Sequence, residues 1–397
     1  MFLKGRKKME KCLRKLIDSN LHYAVLLFSL LLIFGIYADV NYYQYKRYGI
    51  MASNYVIDDG DVDVQEEYTM NFPWKTRLID FNGWVRLLTG QREMNGVVKL
   101  DNGYLTQVAE QKASEELIAA NVEEILEYNA YCSAQGIEVL FAQPAYKISK
   151  WDKQLPTGVT DGHNDTIDEM LRRLEEGGVR TLDLRECMRE DGQNPYELYY
   201  KTDHHWTTEG AFYAYRKIAE RLAEDTGTAL DGKLLDLKQY EIETYPGWHL
   251  GIRGQRTGKA FAGIDDYDLI YPRFETHIYN RGDGKTQSLK DALVKTEVFE
   301  NRNAAQRYTY DQAYSRNDVN QLVSLDAVSD LKVLLLSDSY KYAIDPYFLM
   351  TYREFHVESY REMSAETLRR YQPDVVVILA WPGYYYEEAF HFTEDDQ

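Results

Sequence analysis

Val375-Val376-Val377-Ile378-Leu379 and Val333-Leu334-Leu335-Leu336 are unbroken apolar runs with no polar residue to turn toward water. A strand with one wet face alternates, so such runs require burial on both faces, which parallel sheets flanked by helices provide. The surrounding pattern agrees. From Glu115 the residues Leu117, Ile118, Val122, Ile125 and Leu126 recur at helical spacing, Gly136 stops the helix, and Ile137–Phe141 reads as a strand. A second unit follows: helix Asn164–Glu176, Gly177-Gly178, strand Val179–Leu184. Helix Thr208–Ala223 presents Phe212, Tyr215, Ile218, Ala219 and Leu222 on one face. Strands at Lys332–Leu336, Phe355–Val357 and Asp374–Leu379, with helices between, complete an α/β alternation in three layers. Phe81-Asn82-Gly83-Trp84, Asn95-Gly96 and Asp101-Asn102-Gly103 carry turn dipeptides and predict small hairpins.

One segment lies outside this scheme. Leu21–Ala38 contains no Asp, Glu, Lys or Arg, and at about 1.5 Å per residue it nearly spans a hydrocarbon layer about 30 Å thick. Lys4, Arg6, Lys7, Lys8, Lys11, Arg14 and Lys15 precede it, a bias that holds the N-terminus in the cytoplasm. The reading is a cytoplasmic segment at 1–20, a single transmembrane anchor at 21–38, an acidic stalk or lead-in at 39–80 and an extracytoplasmic domain at 81–397. A cleaved signal peptide is the rival, and Ile36 and Tyr37 break the small-residue pattern a cleavage site needs. Between about 229 and 330 the periodicity gives way to Tyr, Gly and charge. That stretch reads as a partly β insertion able to cover the sheet's edge.

The net charge of −18 argues against nucleic acid, which rewards basic patches. Cys132 and Cys187 are too few to staple a domain of this size and read as thiols rather than a disulfide.

Catalytic groups in open α/β sheets gather beyond the carboxyl ends of the strands. There Ser337-Asp338-Ser339-Tyr340 follows one of the apolar runs and opens a helix, which makes Ser339 either a nucleophile or an ordinary cap. Asp203-His204-His205-Trp206 stands just before the Thr208 helix. Asp203 and His205 suit an imidazole base with the acceptor that fixes its tautomer. A helix-capping role remains open, and a metal lacks a third ligand at the usual spacing. Tyr340 and Lys341 beside the serine, and Arg256 and Gly258 in the insertion, are candidates for oxyanion or substrate contacts. Trp381-Pro382-Gly383 is a further one. The 34 tyrosines could stack on sugars or simply pack half-buried.

The string Tyr199-Tyr200-Lys201-Thr202-Asp203-His204-His205-Trp206-Thr207-Thr208-Glu209-Gly210-Ala211 resembles the signature of the bacterial DHHW family, related to the SGNH-like domains of alginate O-acetylation proteins. Asn95-Gly96-Val97, Asn102-Gly103-Tyr104-Leu105, Leu182-Asp183-Leu184 and Leu336-Ser337-Asp338-Ser339-Tyr340 fall in the family's order. The resemblance implies an SGNH-hydrolase-like sheet and a triad of Ser339, His205 and Asp203; no cofactor or metal is expected. It implies O-acetylation of a cell-surface polysaccharide, with a membrane-bound partner handing on the acyl group because activated donors are cytoplasmic. A carbohydrate esterase and a non-catalytic glycan-binding scaffold are the alternatives. Ser337 stands where the family's motif commonly has Gly.

Overall fold

In the computed structural model the described residues are 23, 25–33, 75–300 and 309–394. Contacts divide the chain into two units, Met1–Ile79 and Asp80–Gln397. In the first, residues 25–33 are helical and exposed. Among the described residues no helix is long and apolar enough to cross a membrane. The flanks of the 21–38 run, the segment 1–20 and residues 39–74 of the lead-in lie outside the described residues.

The elements used below are α1 (Lys75–Leu88), β1 (Glu93–Met94), β2 (Val97–Lys99), β3 (Leu105–Thr106), α2 (Glu115–Ala134), β4 (Glu138–Gln143), α3 (His163–Glu176), β5 (Arg180–Asp183) and α4 (Thr208–Thr226). They continue with β6 (Tyr240–His249), α5 (Ile252–Thr257), α6 (Lys259–Ala262), β7 (Asp265–Pro272), β8 (Ile278–Asn280), β9 (Thr286–Gln287) and β10 (Leu322–Ser324). The chain closes with β11 (Ser329–Ser337), α7 (Lys341–Thr351), β12 (Tyr352–Ser359), α8 (Ala365–Tyr371) and β13 (Val375–Leu379).

A five-stranded sheet in the order β12-β11-β13-β4-β5, parallel throughout, forms the centre. The unbroken runs supply its two middle strands, and their alternate residues serve opposite faces. Val333, Leu335, Val375 and Val377 join one core with α4 and α7. Leu334, Leu336, Val376 and Ile378 join another with α2 and α3. Helices therefore cover both faces, as the α/β reading requires. Local signals set the helix ends: Ser114 caps α2 by accepting from Leu117 N, and Gly136 (φ 76°) lies just past its close.

Two expectations fare differently near the start of the second unit. Asn95 (φ 52°) and Gly96 (φ 70°) make the β1–β2 hairpin turn. Phe81–Trp84 is not a hairpin but the middle of α1. There Gly83 serves close approach: a Cβ would stand 2.5 Å from Thr257 O and 3.0 Å from the Phe261 Cβ. Tertiary packing thus overrides the Asn-Gly turn preference.

Between α4 and β11 lie the β6–β7 hairpin and a three-stranded sheet ordered β10-β8-β9. From this region Asn320 reaches edge strand β12, donating from Nδ2 to Val357 O (2.9 Å) and accepting Val357 N (2.8 Å). Cys132 is buried and Cys187 half-buried, both free thiols. Burial pushes the first to about 12 and the second to about 11.

Asp345, inside α7, is 5% exposed and its Oδ1 has no partner among the described residues. Burial lifts its carboxyl to about 8, with Lys341 opposing and Asp318 adding to the rise. A carboxyl raised on folding contributes its full stability below the unfolded value and loses it as pH climbs through the folded one. Asp345→Asn, which cannot ionise, is expected to gain on the parent by on the order of 3 kcal/mol between pH 4.5 and 8. Urea denaturation at the two pH values reads this, and parallel pH dependence in both proteins would show Asp345 solvated.

Candidate active site

Ser339 stands in the turn between β11 and α7, half-buried at the carboxyl end of the sheet. Asp338 shapes that turn, its Oδ1 accepting Tyr340 N (2.8 Å) and its Oδ2 accepting Trp381 N (2.7 Å) from just beyond β13. Ser337 is the buried last residue of β11 and its backbone is not among those with positive φ. That position therefore needs no glycine here.

The DHHW string forms a tight loop closed by a bridge between Tyr199 and Trp206, with Tyr200 N donating to His205 O and Thr207 N to Leu198 O. Asp265 of β7 holds the loop from one side, accepting Lys201 N (2.9 Å), Thr202 N (2.8 Å) and Thr202 Oγ1 (2.6 Å). Thr202 O in turn accepts Gly254 N, and Thr202 Oγ1 accepts Gly251 N. From the other side the Lys147 ammonium, itself 4% exposed, donates to the carbonyls of Tyr200, Lys201 and Asp203. Burial and the nearby Arg253 press the Lys147 ammonium well below its usual range, while Asp265 and Asp203 support its charge.

This loop brings His205 Nε2 to 2.7 Å from Ser339 Oγ, with His205 Nδ1 3.1 Å from Asp203 Oδ1. Asp203 Oδ2 faces His249 Nε2 at 3.2 Å, and Asp203 Oδ1 also accepts His204 N (2.6 Å). Burial alone would raise the Asp203 carboxyl, but His205, His204 and His249 outweigh it and hold the group well below the usual carboxylate range. Burial and His205 lower His204 to about 3, so that ring is neutral. Tyr310 stacks on His205 with centroids 3.9 Å apart and planes 20° apart, and its hydroxyl donates to Tyr340 O. The ligand-type atoms of Asp203, His204 and His205 lie within 4.8 Å of one another. Both His205 nitrogens are already engaged with Ser339 and Asp203, so a cation there would have to displace the serine.

Of the residues singled out in the sequence, Ser339, His205, Asp203 and Tyr340 meet here, and the Tyr340 hydroxyl donates to His204 O (2.7 Å). Lys341 lies two residues on, with its Nζ 5.6 Å from the Tyr342 ring centroid at the rim of a cavity of about 540 Å³. Arg256 and Gly258 have contacts elsewhere: Arg256 exchanges hydrogen bonds with Asn95, and Gly258 abuts Asp80. Trp381 does reach the site, its ring 5.0 Å from that of His204.

Sequence reasoning missed Lys147, His249, Arg253, Asp265 and Tyr310. Arg253 is 1% exposed, its Nε and Nη1 have no partner among the described residues, and its Cζ lies 5.8 Å from the Trp381 ring centroid. Burial lowers its guanidinium, while Tyr146, Asp203 and Tyr340 pull the other way. An orphaned buried guanidinium is expensive unless something anionic visits it. Nothing in the composition of Ile252–Thr257 marked it over Arg256.

Residues 104–266 match the family described as SGNH hydrolase-like domain, acetyltransferase AlgX. The resemblance expected from the DHHW string is thus borne out over that stretch. No curated protein matches the chain. Among solved structures, PatB1 of Bacillus cereus is similar at a TM-score of 0.58 and 19% identity, covering 73% of this chain and 96% of that one. PatB1 with a sulfonyl adduct gives 0.56 and 18%, covering 74% and 96%. A DHHW family protein from Eubacterium siraeum gives 0.53 and 17%, covering 74% and 93%. At these identities the likeness is one of fold, and it agrees with the α/β parallel sheet.

Proposed function

We propose that the chain is a membrane-anchored, extracytoplasmic serine acyl-transfer enzyme that O-acetylates a cell-surface polysaccharide. The observation that carries the reading is the 2.7 Å approach of His205 Nε2 to Ser339 Oγ, with Asp203 on the far side of the imidazole. The match to an acetyltransferase-type SGNH domain supports it independently.

In the first half-reaction Ser339 Oγ attacks the carbonyl carbon of an acyl ester while His205 Nε2 takes the hydroxyl proton. The bond to the donor alcohol breaks, and His205 returns the proton to that leaving oxygen. In the second, a glycan hydroxyl gives its proton to His205 and attacks the acyl carbon, and Ser339 leaves reprotonated. Asp203 accepts from His205 Nδ1–H, keeping Nε2 free to act as base and steadying the imidazolium. The oxyanion formed in both halves needs preorganised donors. Tyr340 N and Trp381 N are committed to Asp338, and we assign a share of the role to Arg253, whose buried Nε and Nη1 have no partner among the described residues. The apolar run at 21–38 would hold the domain where glycan hydroxyls are plentiful, and the donor would come from a membrane partner.

The test offers the detergent-solubilised full chain p-nitrophenyl acetate, with and without an oligosaccharide. Nitrophenolate release, an acetylated Ser339 peptide and acetyl-glycan are expected. Acetate released to water alone, glycan present, would make the enzyme an esterase. A folded sample with neither turnover nor Ser339 labelling by a fluorophosphonate would leave a non-catalytic protein. Arg253→Met is expected to lower kcat by about 10²-fold or more with a smaller change in KM. Steady-state kinetics decide, and an unchanged kcat would remove Arg253 from the oxyanion role.

A further inference from the structure

Helix α1 is built inside out. Its inner side is fixed on the domain: Asp80 Oδ1 accepts Lys259 N (2.6 Å), and Gly83 is buried against Thr257 and Phe261. On the opposite side, at helical spacing, stand Phe81 (62% exposed), Trp84 (50%), Val85 (36%) and Leu88 (66%). Phe81 and Trp84 face outward as a pair, with ring centroids 6.0 Å apart. A surface helix normally turns such residues inward.

We propose that α1 is an interfacial helix that seats this apolar side in the headgroup region of a lipid bilayer. Its charge suits that surface. The chain as a whole is strongly acidic, yet α1 carries Lys75, Arg77 and Arg86 against one acid, Asp80, which faces the domain. Aromatic residues interleaved with basic ones are the composition of membrane-surface helices. Even with Leu78 and Leu87 counted, six exposed apolar side chains on one short helix fall short of the roughly 800 Å² per partner of a stable protein interface, whereas partial insertion of Trp and Phe needs no such area. The chain order fits too, since α1 begins directly after the segment that follows the apolar N-terminal run. Helix α5, against which Gly83 packs, carries Arg253 and donates Gly254 N to the DHHW loop. Seating α1 in lipid therefore places the DHHW loop, which carries Asp203 and His205, one helix away from the bilayer surface.

The inference requires the N-terminal run to be membrane-embedded and does not depend on the triad. The full chain is reconstituted in phosphatidylcholine–phosphatidylglycerol vesicles containing a diazirine lipid, irradiated and mapped by mass spectrometry. Adducts are expected both within 21–38 and on α1. Phe81→Ser/Trp84→Ser/Leu88→Ser should lose at least about three-quarters of the α1 labelling, keep that at 21–38, and melt within a few degrees of the parent. Adducts confined to 21–38, or absent from both, overturn the proposal. So does p-benzoylphenylalanine at position 81 crosslinking to a protein rather than to lipid in native membranes, which would make α1 a docking face for the acyl-handing partner.

Discussion

Ser339→Ala is expected to lose about 10⁴-fold or more of acyl transfer while melting at the parent's temperature. The two outcomes separate because of where the hydroxyl sits. Ser339 is half-buried, and among the described residues the one hydrogen bond of its Oγ is to His205, so removing it opens no core cavity and leaves one exchangeable partner. Chemistry, by contrast, loses its only attacking atom. His205→Asn alone should cost a similar factor, and the double variant little more than either, because a nucleophile without its base and a base without its nucleophile are equally idle. Burst kinetics with p-nitrophenyl acetate provide the measurement. Multiplying losses in the double variant, or activity surviving in Ser339→Ala, would place the nucleophile elsewhere.

Lys147→Met carries the second large effect, on stability and rate together. Met fills much of the same volume and removes a buried charge, which favours the variant. Against this, the carbonyls of Tyr200, Lys201 and Asp203 lose the donor that gathers them. The Lys201 carbonyl keeps Leu105 N as a donor, but each of the other two left without a partner costs about 1–3 kcal/mol, and Asp203 and Asp265 lose a nearby positive charge. The polar loss wins, and the variant is expected to be less stable by about 3 kcal/mol in urea denaturation. Because those carbonyls set the loop carrying Asp203 and His205, kcat should also fall by about 10²-fold in the protein that stays folded, a misplacement effect. A variant as stable as the parent would show that Asp265 and Thr202 suffice to shape the loop.

These residues also show what could be read from the sequence. Ser339, His205 and Asp203 were legible because each sits where a strand run or a helix start announces itself, and because the DHHW string is specific. Lys147 was hidden since a lysine after a strand ordinarily points to water. His249, Arg253, Asp265 and Tyr310 come from the stretch between α4 and β11, where no periodicity tells a buried polar residue from an exposed one. The sheet was legible for the opposite reason, its middle strands being apolar on both faces. Helix α1 failed at Asn82-Gly83 because the same glycine that favours a turn also lets a helix lie against Thr257.

The Asn320 amide meets Val357 with one donated and one accepted bond on the edge of β12 that, among the described residues, no strand pairs. It occupies, on the open flank of the central sheet, the pair of main-chain groups through which a stray extended peptide would begin to zip. Among the described residues the five-stranded sheet thus ends at β12 with one asparagine seated on its edge, where another strand would otherwise bond.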